Sequence, residues 1–291
     1  MTAPTFDLQS HSIHSDGALS PADVVAAAAA AGVELLALSD HDTCAGVTEA
    51  REAARAAGIG LVDATEITTM HNGQQDLHIL GYLIDPAHPR LVAALEHSRG
   101  DRERRAAKMA ARLRELGYDL DEAQLAARTA QGKTIGRPHL AQAVTSHPAN
   151  QDRLREEGLL EPTKFLVAYL IDGAPAFVAR EAPSVQEAVQ LIHDAGGVAV
   201  WAHPFWDISE IDDVRATLET FGGYGIDGVE VFYPSFTPEQ VRFLVAECGD
   251  RNLLTTGSSD FHGPEHHTFS RFRAFDLYGV EPNLGPIARP A

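Results

Sequence analysis

Histidines and carboxylates gather in this chain where apolar runs end. The segment FDLQSHSIHSDG (6–17) breaks from an apolar start into Gln9, His11, His14 and Asp16, and LSDHDT (38–43) breaks into Asp40, His41 and Asp42. The pattern returns with Glu66 closing GLVDATE, His78 in DLHILGY, His203 after VAVWA, and Asp260 with His262 after LLTTGSS. Neutral imidazole and carboxylate oxygen are the ligands that borderline divalent cations take. One such cluster is weak evidence, whereas its repetition at successive run ends points to a site for several metal ions.

Something must bring residues so far apart in sequence to one place. Ser20-Pro21 reads as an N-cap followed by proline at the first helical position, the alanines to Ala31 continue that helix, and Gly32 stops it. The six alanines predict a thin helix lying close on a sheet. Val33–Leu38 is a continuous apolar strand, 46–57 a second helix, and 59–64 a further strand. Residues 66–84 read as a small β excursion with Asn72-Gly73 as its hairpin turn. A long helix over 91–116 and shorter ones near 121–130, 138–147, 151–158 and 163–170 form a helical block, with no strand run before Ala176-Phe177-Val178. The alternation then resumes: helix 184–195, strand 198–202, helix 210–221, strand 226–232, helix 237–247, strand 253–257. Alternating units imply a parallel sheet covered by helices, and ligand-type residues at the strand ends favour a barrel, where those ends converge on one face.

Composition narrows the partners. The 291 residues suit one large domain or a domain with an insertion, and the net charge of −18 argues against a long nucleic-acid tract. No apolar stretch reaches the ~20 residues that span a bilayer, and no basic segment precedes an apolar one at the N-terminus, so neither a membrane anchor nor a signal peptide is expected. Cys44 and Cys248 suit a reducing compartment as unpaired structural thiols, which together place the protein in the cytoplasm.

The motifs DLQSHSIHSDGALSP, LALSDHDT, VDATEIT, LHILGY, RERRAAKMAARL, TIGRPHLA, LIHDAGGVAVWAHP, GVEVFYP and TTGSSDFHG together resemble the PHP (polymerase and histidinol phosphatase) family of metal-dependent phosphoesterases. The branch is the one containing nucleoside-phosphate phosphatases and a related 5′-to-3′ exoribonuclease. The resemblance implies an α/β fold, a distorted (β/α)7 TIM-like barrel formed by residues 1–95 and 178–291, with a helical insertion over 96–177 that contributes to the substrate pocket. It places the metal ligands on Gln9, His11, Asp16, His41, Glu66, His78, His203, Asp260 and His262. One ion lies near Gln9, His11, Glu66 and Asp260, a second shares Glu66 with His78 and His203, and a third uses Asp16, His41 and His262. Two or three divalent ions, Mn, Fe or Zn, are implied.

Two departures stand out. The family's first motif is normally His-x-His, and here Gln9 replaces its first His. Relatives with nuclease-type activity often carry Arg and Lys where this chain has Asp172 and Ala174. His14 is an alternative source of the missing imidazole, or a solvated loop residue. Arg137 and His139 resemble insertion residues that reach phosphate, and with Asp42 they are the catalytic candidates. Asp40 and Asp42 flank His41, where one of them orients the ring or both cap a helix. Glu230 reads as structural support. Of the basic helix over 99–114, Arg102 or Arg105 is expected to turn inward. His71, His88, His97, His147, His193, His266 and His267 are assigned to surface or loops. The expected activity is hydrolysis of a small phosphate monoester, a nucleotide such as AMP or a nucleoside 3′,5′-bisphosphate, by hydroxide generated on the metals. The alternatives are a phosphodiesterase or exoribonuclease acting on short RNA, and a degenerate member that only binds a phosphorylated ligand.

Overall fold

The computed structural model describes residues 4–71, 74–130, 135–179 and 181–289, excepting the side chains of 74–76 and 102. The expected turn at Asn72-Gly73 and the orientation of Arg102 lie outside those described residues. The chain divides into two compact units, residues 1–96 with 182–291, and residues 97–181.

The first unit is built on seven strands in sequential order: β1 (Phe6–Asp7), β2 (Leu35–Leu38), β3 (Gly60–His71), β4 (Gln74–Tyr82), β5 (Val198–Trp201), β6 (Gly228–Phe232) and β7 (Leu254–Gly257). The sheet returns on itself: Leu8 donates its backbone N–H to Gly257, His11 to Phe261, and Ser10 bridges Phe261 in parallel. The result is an α/β barrel, nearly closed. Strands β1, β2 and β3 pair in parallel, as do β5, β6 and β7. The expectation for 66–84 needs correction here. β3 and β4 form a long antiparallel pair, and β4 also pairs antiparallel with β5, so the excursion is a full member of the barrel wall. The fold is therefore a distorted (β/α)7 barrel in which one strand runs backwards.

Helices α1 (Pro21–Ala30) and α2 (Val47–Ala57) cover β2 through Val24, Val25, Ala28, Leu36, Leu38, Ala50 and Ala54. Ser20 caps α1 as expected, its side chain accepting from the Asp23 N–H. The alanine run behaves differently from expectation. Only Ala28 of residues 26–31 is buried, so the run supplies helix propensity on a largely open surface rather than close packing. The main core lies beneath β3–β6, with Tyr82, Trp201, Phe221 and Phe232 among its largest fully buried side chains.

The boundary between the units falls within α3 (Pro89–Glu115). The second unit continues with α4 (Glu122–Ala130), α5 (Arg137–Thr145), α6 (Gln151–Glu157) and α7 (Pro162–Tyr169), which share a core of Met109, Leu113, Tyr118, Leu140, Val144, Leu154 and Phe165. Ala176–Val178 is not a strand. Its carbonyls are taken by arginines of α3: Arg105 Nε donates to Val178 O at 2.7 Å and Arg112 donates to Phe177 O. Arg105 is thus turned inward, its guanidinium 5.4 Å from the Phe177 ring centroid. The barrel unit resumes with α8 (Val185–Asp194), α9 (Pro204–Asp207), α10 (Ile211–Tyr224) and α11 (Pro238–Arg251). Among the described residues no helix is long and apolar enough to cross a membrane.

Candidate metal centre

Glu66 lies at the middle of the ligand cluster. The end of β2 continues alongside β3, with Glu66 N–H donating to Asp40 O and Asp42 N–H to Glu66 O, so LSDHD delivers His41 beside Glu66. The β3–β4 register pairs Thr68 with His78, and Glu66 stands two residues from Thr68, which puts Glu66 and His78 on one face of the hairpin. Fully buried, Glu66 divides its carboxylate between two groups. Oε2 meets Gln9 Nε2 at 3.0 Å, His11 Nε2 at 3.2 Å and His41 Nδ1 at 3.5 Å. Oε1 meets His78 Nδ1 at 2.8 Å and His203 Nε2 at 3.3 Å.

The remaining ligand candidates close around these. Asp260 Oδ1 is 3.0 Å from His11 Nε2. Asp16 lies 3.5 Å from His262 Nε2, 3.6 Å from His41 Nε2 and 3.7 Å from His11 Nδ1. His11 stacks on both His41 and His262, at 4.6 and 4.3 Å. The loop from His11 to Asp16 turns back tightly because residue 17 is glycine: a Cβ there would stand 2.1 Å from His11 O.

All nine sequence candidates therefore come together, and two sets converge most tightly: His11, Asp16, His41 and His262, and His41, Glu66 and His78. Relative to the grouping implied by resemblance, His11 also faces Asp16, and His41 also faces Glu66. The donor set fits divalent cations. Contacts of 2.8–3.7 Å are spacings that ligands about 2.1 Å from a shared ion can reach. Among the described residues, the buried His11 Nε2, His41 Nδ1 and Asp260 Oδ1 meet the other ligand candidates only as close ion-pair contacts, without hydrogen-bond geometry, as expected of atoms aimed at a shared cation.

Electrostatics follow from burial and charge. Burial alone raises the Glu66 carboxyl, but His41, His78, His11 and His203 hold it well below the ordinary range. Burial pulls the His11 imidazole down, yet Asp260 and Glu66 more than offset this and hold it well above. Burial, with His11 and His78 nearby, takes His41 down to about 4 against the pull of Glu66 and Asp16, leaving it neutral as a ligand must be.

Behind the cluster stands a tier of buried carboxylates, each tying down a ligand-bearing segment. Asp40 accepts from Ser12 N–H, Ser12 Oγ and Ser15 Oγ, all at 2.7 Å, and so fixes the loop between His11 and Asp16. Asp42 accepts from Thr68 N–H and Oγ1, clasping β3. Asp7 accepts from Ser259 N–H, Ser259 Oγ and Arg273 N–H, fixing the loop that carries Asp260 and His262. Glu230 accepts from His203 N–H and Ser258 Oγ, and burial, against the pull of His203, pushes its carboxyl up to about 8. Tyr233 Oη donates to Asp260 Oδ2 at 2.8 Å. These bonds sustain positive φ angles at Asp42 (53°), His203 (29°) and Asp260 (53°), conformations that cost about 1–3 kcal/mol each outside glycine. Asp7 and Tyr233 escaped the sequence reading. A signal existed for Asp7, which alternates with Gln9 and His11 along the segment that begins with the first strand.

Gln9 is buried, its Nε2 donating to Glu66 and its Oε1 accepting from Ser258 at 3.4 Å. His14 enters none of these contacts; its backbone N–H donates to Ser12 Oγ. Gln9→Ala is expected to raise the metal concentration needed for half-maximal rate about tenfold, the usual cost of losing a group that orients a ligand. An unchanged metal titration would show that Gln9 does not position Glu66.

In the second unit, Arg137 opens α5 and His139 Nδ1 accepts the Gly136 N–H at 3.0 Å. Burial, and then Arg128, take the His139 imidazole down to about 4. Asp172 is exposed.

The model of the PHP domain matches residues 7–146. A 3′,5′-nucleoside bisphosphate phosphatase of Chromobacterium violaceum is 35% identical over 98% of this chain and 94% of that protein. The chain belongs to the PHP family. A 5′-3′ exoribonuclease of Haemophilus influenzae is 34% identical over 89% of this chain and 90% of its own length. The solved structure of a proposed metal-dependent phosphoesterase from Bifidobacterium adolescentis aligns with a TM-score of 0.74 at 28% identity, covering 99% of this chain and 96% of that one. This PHP-family protein is a metal-dependent phosphoesterase, a hydrolase of phosphoric esters.

Proposed function

We propose that the protein is a cytoplasmic phosphatase hydrolysing a small phosphate monoester, a nucleotide such as AMP or a nucleoside 3′,5′-bisphosphate. The observation carrying this reading is the divided carboxylate of Glu66, whose two oxygens serve two separate groups of imidazoles. That arrangement suits two or three Mn, Fe or Zn ions, with Glu66 shared, His11, Asp16, His41, His78, His203, Asp260 and His262 completing the shells, and Gln9 orienting Glu66. When bound, such ions supply an activated water at neutral pH and positive charge against the developing phosphoryl transition state. The polypeptide's share is positional. Asp40, Asp7 and Glu230 hold the ligand-bearing segments, and Tyr233 orients Asp260. We assign Asp42 to positioning as well, since its oxygens accept from Thr68 rather than standing ready to take a substrate proton. Arg137 and His139 are proposed, from the family resemblance, to meet phosphate oxygens as the insertion's contribution to the substrate pocket.

The net charge of −18 and the lack of cations at Asp172 and Ala174 support a small substrate over long nucleic acid. A second reading, exonucleolytic attack on short RNA, is supported by the Haemophilus relative. Both are tested by assaying the metal-loaded protein on AMP, a nucleoside 3′,5′-bisphosphate and a short 5′-phosphorylated oligoribonucleotide. Phosphate release from the mononucleotides should exceed oligonucleotide cleavage at physiological salt, and Arg137→Ala should raise KM for the mononucleotides. Comparable or faster cleavage of the oligonucleotide would overturn the phosphatase reading.

A further inference from the structure

Trp206 is half exposed, at 53%, whereas Trp201 in the barrel wall is fully buried. A single exposed indole is ordinary on a protein surface, so what marks Trp206 is where it stands. Its position is fixed from the metal centre outward. The Trp206 backbone N–H donates to the His203 backbone O at 2.8 Å, so the turn that begins at that ligand candidate also places the residue that carries the indole. The ring leans on Phe269 (5.5 Å between centroids, 56° between planes) and on Tyr233 (6.2 Å, 67°). Phe269 in turn touches the His262 ring at 5.6 Å, and the Tyr233 hydroxyl holds Asp260. The indole is therefore one aromatic neighbour away from two ligand candidates. Tilted packing against two rings holds it in advance while leaving much of its surface open, the condition under which stacking costs little ordering.

We propose that Trp206 is the platform on which the aromatic base of the substrate stacks while its phosphate lies at the metal centre, so that the site selects nucleotides over phosphate esters without a base. The inference rests on the nucleotide reading above and deepens it. Stacking against an aromatic ring is tolerant of base identity, which makes the selection one for nucleotides as a class.

The test compares AMP with ribose 5-phosphate, which keeps the sugar and the phosphate but lacks the base, in wild type, Trp206→Ala and Trp206→Phe. The ratio of kcat/KM for AMP to that for ribose 5-phosphate should fall about tenfold in Trp206→Ala and recover largely in Trp206→Phe, the scale of one lost base stack. A parallel loss on both esters, or an unchanged ratio, overturns the proposal while leaving the phosphatase reading standing. A second readout needs no turnover: a non-hydrolysable phosphonate analogue of AMP should quench the tryptophan fluorescence of the metal-loaded protein saturably, and the quench should vanish in Trp206→Phe, where Trp201 is the remaining tryptophan. If wild type releases no phosphate from any nucleotide, the phosphatase reading falls, and this quench alone decides whether Trp206 receives a base; its absence overturns the proposal.

Discussion

Glu66→Gln is expected to lower kcat/KM about a thousandfold or more while the protein stays folded. Glutamine keeps the shape of the side chain but removes the charge that both groups of imidazoles share. On the proposed reading Glu66 serves two ions, so its loss removes several kcal/mol of transition-state stabilisation, and each ~1.4 kcal/mol is a factor of ten. Metal content measured by atomic emission should fall together with the rate, whereas circular dichroism should not change. A variant that kept its full metal complement and activity within tenfold of wild type would remove Glu66 from the centre of the site.

Asp7→Ala is expected to cost on the order of 3–5 kcal/mol of stability. The substitution leaves the buried Ser259 N–H and Oγ and the half-buried Arg273 N–H without their acceptor, and each buried donor left unsatisfied costs about 1–3 kcal/mol. Denaturant unfolding at constant metal concentration measures the loss as a lower midpoint with an unchanged slope. Residual activity should also need more metal, because Ser259 adjoins Asp260. A loss under 1 kcal/mol would mean that water or a rearranged loop replaces the carboxylate.

Much of the candidate metal centre was legible because most of its ligand candidates sit where strands end, and strand ends are visible as apolar runs breaking into polar residues. His11, His41, His203 and Asp260 follow that rule. Glu66, inside β3, does not, and neither does His78, inside β4. Its strand shows the same apolar content whichever way it runs, because hydrophobic pattern carries periodicity and no polarity. That is why residues 66–84 looked like an excursion and proved to be barrel wall. The supporting carboxylates were hidden for another reason. Asp40 and Asp42 flank His41 and were visible as candidates, but their partners, Ser12, Ser15 and Thr68, lie 25 to 28 positions away. Asp7 reaches across 252 and 266 positions, a pairing no local pattern encodes. The Ala176–Val178 run failed as a strand because its carbonyls found arginine side chains instead of a neighbouring strand.

The backward strand also limits what kinds of change the site can survive. In an ordinary βα barrel each functional residue hangs from a loop that can lengthen or shorten without disturbing its neighbours. His78 instead owes its direction to the ladder between β3 and β4, so it is bound to Glu66 by count. Extra residues between His71 and Gln74 leave that count untouched and should be tolerated. A single residue deleted between Leu77 and Tyr82 would either slide the ladder or turn the imidazole to the opposite side of the sheet. Inheritance of this centre therefore runs through point substitution in β3 and β4 rather than through changes in their length, which makes these two strands the part of the barrel least free to drift in length.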